Sequence, residues 1–431
     1  MGLVSGAPSA AGAVGDDELK AMVDGLDLVD HHCHAVIGRD LDRAAFELLL
    51  GESGLPAPAP CSSFDTSLGL AVRAWCAPVL NLPAGIDAAT YLARRVELGA
   101  AEVNARLLAG VGSDLLVDTG YRSSELTPLR QLGAWAGARV HEIVRLETLA
   151  ESVAESLTGV SVGPSGAASA VGARPAVGAR RAVSSAAVSS AAVSSAGAGY
   201  ADAFAQAMAA RPAAVGWKSV AAYRGGLNLD WRRPTPTEVR DAAGEWLSAG
   251  PRAGPPAPRW RLEHPVLIRH GVWAALDTGR PVQFHTGFGD TDAYLERSNP
   301  ALLSDLMALS VDRATPIMLL HCWPRHREAG YLAQMWPHVY LDVGEALPHV
   351  GHHGATVLAE ALELAPWHKL LYSSDAFGLA ELYRLGVVTY RRALVAALRP
   401  LSQLGFDRDE LTRLATLVTS GNARRAYPAL A

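Results

Sequence analysis

Short apolar runs that end in polar, reactive side chains recur along the chain, and stretches with apolar residues every three or four positions lie between them. The first run, Leu28-Val29, leads into Asp30-His31-His32-Cys33-His34. Similar runs cover 115–120, 140–147, 215–218, 281–285, 316–321, 339–343 and 369–375, and each reads as a buried strand. Helical spacing predicts helices over 43–50, 88–108, 125–137, 200–210, 236–247, 265–278, 300–309, 325–335 and 354–364. Three more, over 379–398, 407–418 and 420–427, close the chain. Strands alternating with helices predict a parallel sheet joined by crossovers. Eight such units in 431 residues predict an α/β fold of the (β/α)8 TIM-barrel type.

Three stretches break the alternation. Residues 36–110 are too long for one crossover and read as a helical insertion after strand 1, a lid or wall over the site, with a Pro- and Gly-rich loop at 51–60. Residues 160–198 are almost wholly Gly, Ala, Ser, Val and Arg, with VSSAA repeated. They hold no aromatic, Leu or Ile, so they bury little surface against the entropy of ordering. This low-complexity insertion between strands 3 and 4 is expected to be disordered. Residues 1–26 read as a flexible tail without the basic start and apolar block of a signal peptide. The remainder, 27–431, reads as one barrel domain.

Composition narrows the class. Hydrophobic residues at 49% supply a large core, and a net charge of −5 leaves no electrostatic footprint for nucleic acid. No apolar run is long enough to suggest a membrane partner. Cys33, Cys61, Cys76 and Cys322 form no CxxC pair, which predicts reduced thiols and a cytoplasmic protein. A small molecule is the expected partner, with homo-oligomerisation left open.

The reactive residues sit at strand ends: His32 and His34, Lys218, His285, His321 and Asp375. In a barrel those ends form one face and carry the site. Along an extended strand His32 and His34 share a face, while Cys33 turns away. Imidazoles with a carboxylate suit zinc or a similar divalent ion. Tyr223 and Arg224 follow strand 4; Arg224 is either a clamp for a substrate carboxylate or a structural partner of Glu147 or Asp342. His352 and His353 either line the pocket or are solvated. Cys33 and Cys322 read as packing residues, and Asp30 as a support for the strand end.

This order of strand-end residues resembles the amidohydrolase superfamily. The matching pieces are Asp30-His31-His32-Cys33-His34, His285, His321 and Ser374-Asp375. Lys218-Ser219-Val220-Ala221-Ala222-Tyr223-Arg224-Gly225-Gly226-Leu227 and Gly421-Asn422-Ala423-Arg424-Arg425-Ala426-Tyr427 resemble the amidohydrolase-related branch that includes the N-terminal half of FluG-like proteins. The resemblance covers 27–428 apart from 160–198. It implies that His32, His34, His285 and Asp375 hold a metal, zinc first, and that Asp375 takes a proton from an activated water. It leaves two versions open. Either Lys218 is carboxylated and bridges two ions with His321 on the second, or one ion is bound and His321 polarises the substrate carbonyl or the water. The activity implied is hydrolysis of an amide C–N bond in a small, carboxylate-bearing substrate. A metal-dependent non-oxidative decarboxylase is the alternative, and a non-catalytic regulatory barrel ranks third.

Overall fold

Seven of the expected strands form one parallel sheet in sequence order, β1 (Val29–Cys33), β2 (Asp114–Asp118), β3 (Arg139–Arg145), β4 (Ala214–Ser219), β5 (Val282–Thr286), β6 (Ile317–His321) and β7 (Val339–Leu341). The computed structural model describes residues 14–121, 123–160, 190–252 and 258–430. The eighth expected strand, 369–375, runs as extended chain rather than as a ladder strand. Leu371 N donates to Leu341 O at 2.9 Å on one side. On the other, His31 N donates to Tyr372 O at 3.1 Å and Asp375 N to His32 O at 3.0 Å. The segment therefore closes the ring between β7 and β1. Its ladder is interrupted by a side chain: Asp30 accepts both the Ser374 N–H at 3.0 Å and the Ser374 hydroxyl at 2.5 Å.

The inside of the ring is filled by residues from successive strands, Val29, Leu116, Ile143, Val215, Met318, Leu320, Tyr340 and Leu371. Ala423, Ala426, Tyr427 and Leu430 join the same cluster from the C-terminal segment. The outer faces of the strands pack on the helices. One slip in this alternation matters for the site. Val29 belongs to the inner cluster and Cys33 to the outer one, although an even spacing should put them on one face. The register against β2 shifts between Asp30 and Cys33, as in a β-bulge. The extra residue lets His31 and His32 both contact inner groups.

The insertion forms as helices Arg43–Leu48, Ser67–Ala71, Ala88–Leu98 and Ala100–Leu108. The expected single helix over 88–108 breaks at Gly99, whose φ of 76° suits glycine. The insertion is fastened to the long helix Ala380–Gln403. Glu381, fully buried there, pairs with Arg95 and accepts the Tyr91 hydroxyl at 2.8 Å.

Two expectations at the edges change. Residues 16–24, read as part of a flexible tail, form the helix Asp16–Asp24 and bury Leu19, Met22 and Val23; residues 1–13 lie outside the described residues. An amphipathic stretch hidden in a polar, acidic sequence explains the difference. Of the low-complexity stretch, 161–189 lie outside the described residues. Its last part belongs to the helix Ser190–Ala209, which starts ahead of the expected residue 200. Alanine-rich sequence favours helix, and Gly197 lies so close to Gly244 that an added Cβ would meet its N at 3.0 Å.

Removing one partner of the Arg95–Glu381 pair leaves a buried charge unmatched. Arg95→Met is expected to destabilise the protein by about 3 kcal/mol, read as a lowered urea midpoint at constant m-value.

Candidate active site

One cavity opens at the C-terminal ends of the strands, and His32, His34, Lys218, Tyr223, His285, His321 and Asp375 all line it. They arrive from β1, β4, β5, β6 and the closing segment. Asp375 is the hub. Its Oδ1 lies 3.0 Å from His32 Nε2 and 3.2 Å from His34 Nε2, and its Oδ2 lies 3.8 Å from His321 Nε2. Lys218 Nζ lies 3.3 Å from His32 Nε2.

The far sides of the rings decide what these contacts mean. His32 Nδ1–H donates to Gln283 Oε1 at 2.8 Å, and His34 Nδ1–H donates to the Asp118 carbonyl at 3.3 Å. Both acceptors have no proton to give, so each neutral ring leaves a lone pair at Nε2. Those lone pairs face one carboxylate oxygen. Acceptors packed this closely repel unless a cation or proton lies among them. His285 Nε2 and both His321 ring nitrogens are buried without a hydrogen-bond partner. Burial, with the Lys218 ammonium nearby, pushes His32 down to about 3. Burial also pushes His321 down to about 4 and His285 well below the usual imidazole range. Neutral imidazole is the ligand form. Burial opposes the charge of Asp375, and its carboxyl is held well below the usual carboxylate range where His321, His32 and His34 act on it as positive or N–H-donating neighbours, a part that a cation takes over once the rings are neutral. The donor set fits a divalent ion.

Groups behind the rings hold them in place. Gln283 Nε2 donates to His31 O at 2.7 Å and to the Tyr427 hydroxyl at 2.9 Å, which fixes the amide so that Oε1 faces His32. His31 spans Tyr427 and Asp342, at 3.2 and 2.9 Å. Asp342 Oδ1 also accepts the His321 backbone N–H at 2.9 Å. His321 and Asp375 both have left-handed backbones, with φ of 66° and 51°. Such conformations in non-glycine residues are held by their surroundings and cluster at functional sites.

Not every expected residue reaches the cavity. Arg224 does not line it; its Nη2 pairs with Glu151 at 3.1 Å, on the helix Leu146–Thr158, rather than with Glu147 or Asp342. Glu147 is taken up by Ser219 and the Val220 N–H at the end of β4. His352 and His353 are exposed, and His349 lines the cavity in their place. Cys33 and Cys322 lie in the outer core. Arg145, Glu345, Asp290, Tyr121 and Glu52 were missed. Arg145 sits opposite Lys218 in the β3–β4 register, and Glu345 and Asp290 follow β7 and β5, so the strand-end rule itself would have found them. Glu52 lies in the insertion, where no strand marks it.

The amidohydrolase family model matches residues 136–429. The chain belongs to the amidohydrolase family. Among curated relatives, FluG of Emericella nidulans is 33% identical over 232 residues, 51% of this chain and 26% of that protein. This amidohydrolase thus spans about a quarter of that relative. A solved structure from Lactobacillus casei, assigned as a metal-dependent hydrolase, is 26% identical with a TM-score of 0.73, over 95% of this chain and 97% of that one. A uronate isomerase from Bacillus halodurans, 14% identical, aligns with a TM-score of 0.57 over 96% of each chain and shares the fold. Family, fold and the histidine–aspartate cluster together make this a metal-binding enzyme of hydrolase type.

Gln283→Leu removes the acceptor that fixes the His32 tautomer. It is expected to lower metal affinity by about 10- to 100-fold with the circular dichroism spectrum unchanged, as measured by competition with a chromogenic chelator.

Proposed function

We propose that this amidohydrolase uses a bound divalent metal ion, zinc first, to cleave the C–N bond of a small amide. The observation that carries this is the convergence of His32 Nε2 and His34 Nε2 on Asp375 Oδ1, at 3.0 and 3.2 Å. His32, His34, His285 and Asp375 would hold the ion. Bound there, it supplies Lewis acidity and brings the pKa of water toward neutrality. The chain does the rest. Asp375 stays ionised in reach of the histidines, so it accepts the proton lost by water and passes it to the leaving nitrogen. His321, flanked by Glu345 at 3.5 Å, orients the carbonyl oxygen. Tyr223 holds the His285 ring through its hydroxyl, 3.3 Å from Nδ1.

Lys218 separates a one-ion form from a two-ion form. Two cations beside an ammonium repel it, whereas a carbamate would ligate both. Burial lowers the Lys218 amine to about 8, which provides the neutral amine that carbamate formation needs. Metal content near two, with a ¹³C resonance from labelled bicarbonate on Lys218, assigns the two-ion form; content near one without that resonance assigns the other.

The cavity supports an amide more than an acid. Arg224 is withdrawn, and Arg145 donates to Asp118 at 2.5 and 3.0 Å, so a substrate carboxylate loses the anchor expected from sequence. We further infer a small-molecule partner and no nucleic acid. A reducing, cytoplasmic setting suits the four unpaired cysteines. No described helix is long and apolar enough to cross a membrane.

Metal-loaded protein is expected to release ammonia or an amine from members of an amide panel, without carbon dioxide from matched acids. Asp375→Asn should reduce kcat by at least about 100-fold while the fold persists by circular dichroism. Retained turnover in that variant, or carbon dioxide release without amide cleavage, refutes the reading.

A further inference from the structure

The charges on the cavity wall are unevenly partnered. Four carboxylates line it: Asp375, Glu345, Glu52 and Asp290. The two basic side chains on the same wall are engaged elsewhere. Lys218 sits 3.3 Å from His32 at the histidine end, and Arg145 donates twice to Asp118. Glu345 is only 3% exposed, and its Oε2 has no hydrogen-bond partner among the described residues, with His321 Nδ1 3.5 Å away and His285 and His321 grouped with it as possible metal ligands. Asp290 accepts the backbone N–H of Asp292 at 2.8 Å and has no ion pair among the described residues. The nearby Arg261 goes to Asp292 and Glu263 instead, at 3.0 and 2.6 Å. Among the described residues, Glu52 has one ion-pair neighbour, His349 at 3.7 Å.

Some buried acids elsewhere have a basic partner, whereas Asp30 and Glu147 have only neutral hydrogen-bond donors. Asp342 has His31 at 2.9 Å, Asp114 has Arg139 at 2.8 Å, and Glu381 has Arg95. Enclosed carboxylates without a counter-charge are costly. Glu345 is enclosed, while Asp290 and the Glu52 side chain (35% exposed) are partly buried, and three such acids on one wall favour a positive group that arrives with the ligand. A metal ion does not account for Glu52 and Asp290. Neither belongs to the described groups of three ligands whose atoms lie within 4.8 Å of one another. The wall beside them is apolar, with Leu49, Pro348 and Phe377, which suits a carbon chain bearing the charge.

We propose that Glu52 and Asp290, with Glu345 beside them, bind an ammonium or guanidinium group of the substrate. The amide cleaved is then one that carries an organic cation. The choice of amide rests on the C–N reading above, whereas the cation pocket itself does not. The insertion supplies Glu52 and the loop after β5 supplies Asp290, so two separate segments select the substrate over the reacting end.

The test uses the metal-loaded full chain and calorimetric titration at pH 7 with n-butylguanidinium, which carries the charge, and n-butylurea, its neutral counterpart. The guanidinium is expected to bind and the urea to bind at least about tenfold more weakly. Glu52→Gln and Asp290→Asn should each weaken guanidinium binding by about tenfold and leave the urea unchanged. Equal affinity for the two probes overturns the proposal, as does unchanged guanidinium affinity in both variants. Loss of guanidinium binding on adding a further equivalent of metal, through the same two carboxylates, also overturns it. Binding that depends on Glu52 and Asp290 while no amide is cleaved upholds the pocket and removes the C–N reading. Amide cleavage with no such binding does the reverse.

Discussion

Two imidazole lone pairs and a carboxylate oxygen stand about three ångströms apart around Asp375, and everything near them is arranged to keep them there. That arrangement is repulsive on its own. It persists because each ring is pinned from behind by an acceptor, and because Asp375 is tied through its backbone to His32. The barrel is the means of pinning. It brings residues more than 300 positions apart to one face, and it backs that face with hydrogen bonds that reach down into its interior. A divalent ion converts the repulsion into coordination, so the folded protein is preorganised for the ion rather than reshaped by it.

Much of this was legible in the sequence. The strand runs and their reactive ends were visible because both follow from simple periodicity and from the rule that barrel sites gather at strand C-termini. His32, His34, Lys218, His285, His321 and Asp375 do meet in one cavity. Three kinds of information were not visible. The β1 bulge changes the facing of His31, and no pattern of apolar residues signals a shifted register. The last segment closes the ring without being a regular strand, because Asp30 replaces ladder bonds with side-chain bonds. Partner choice was also hidden. Arg224 looked available to a carboxylate, and only its neighbour Glu151 shows that it is taken.

The insertion after strand 1 has a double role. It is held to the long helix Ala380–Gln403 through Glu381, and that helix begins just beyond Asp375. It also contributes Leu48, Leu49 and Glu52 to the cavity wall. One helix therefore stands between the segment carrying Asp375 and the insertion that lines the cavity wall.

Tyr427 gives the architecture a temporal side. Its hydroxyl meets Gln283 and His31, residues 144 and 396 positions earlier in the chain. In chain order the acceptor for the His32 ring follows it by 251 positions, and Tyr427 follows His31 by 396, so β1 is made well before the groups that brace its histidines, and the C-terminal segment acts as the clasp behind them.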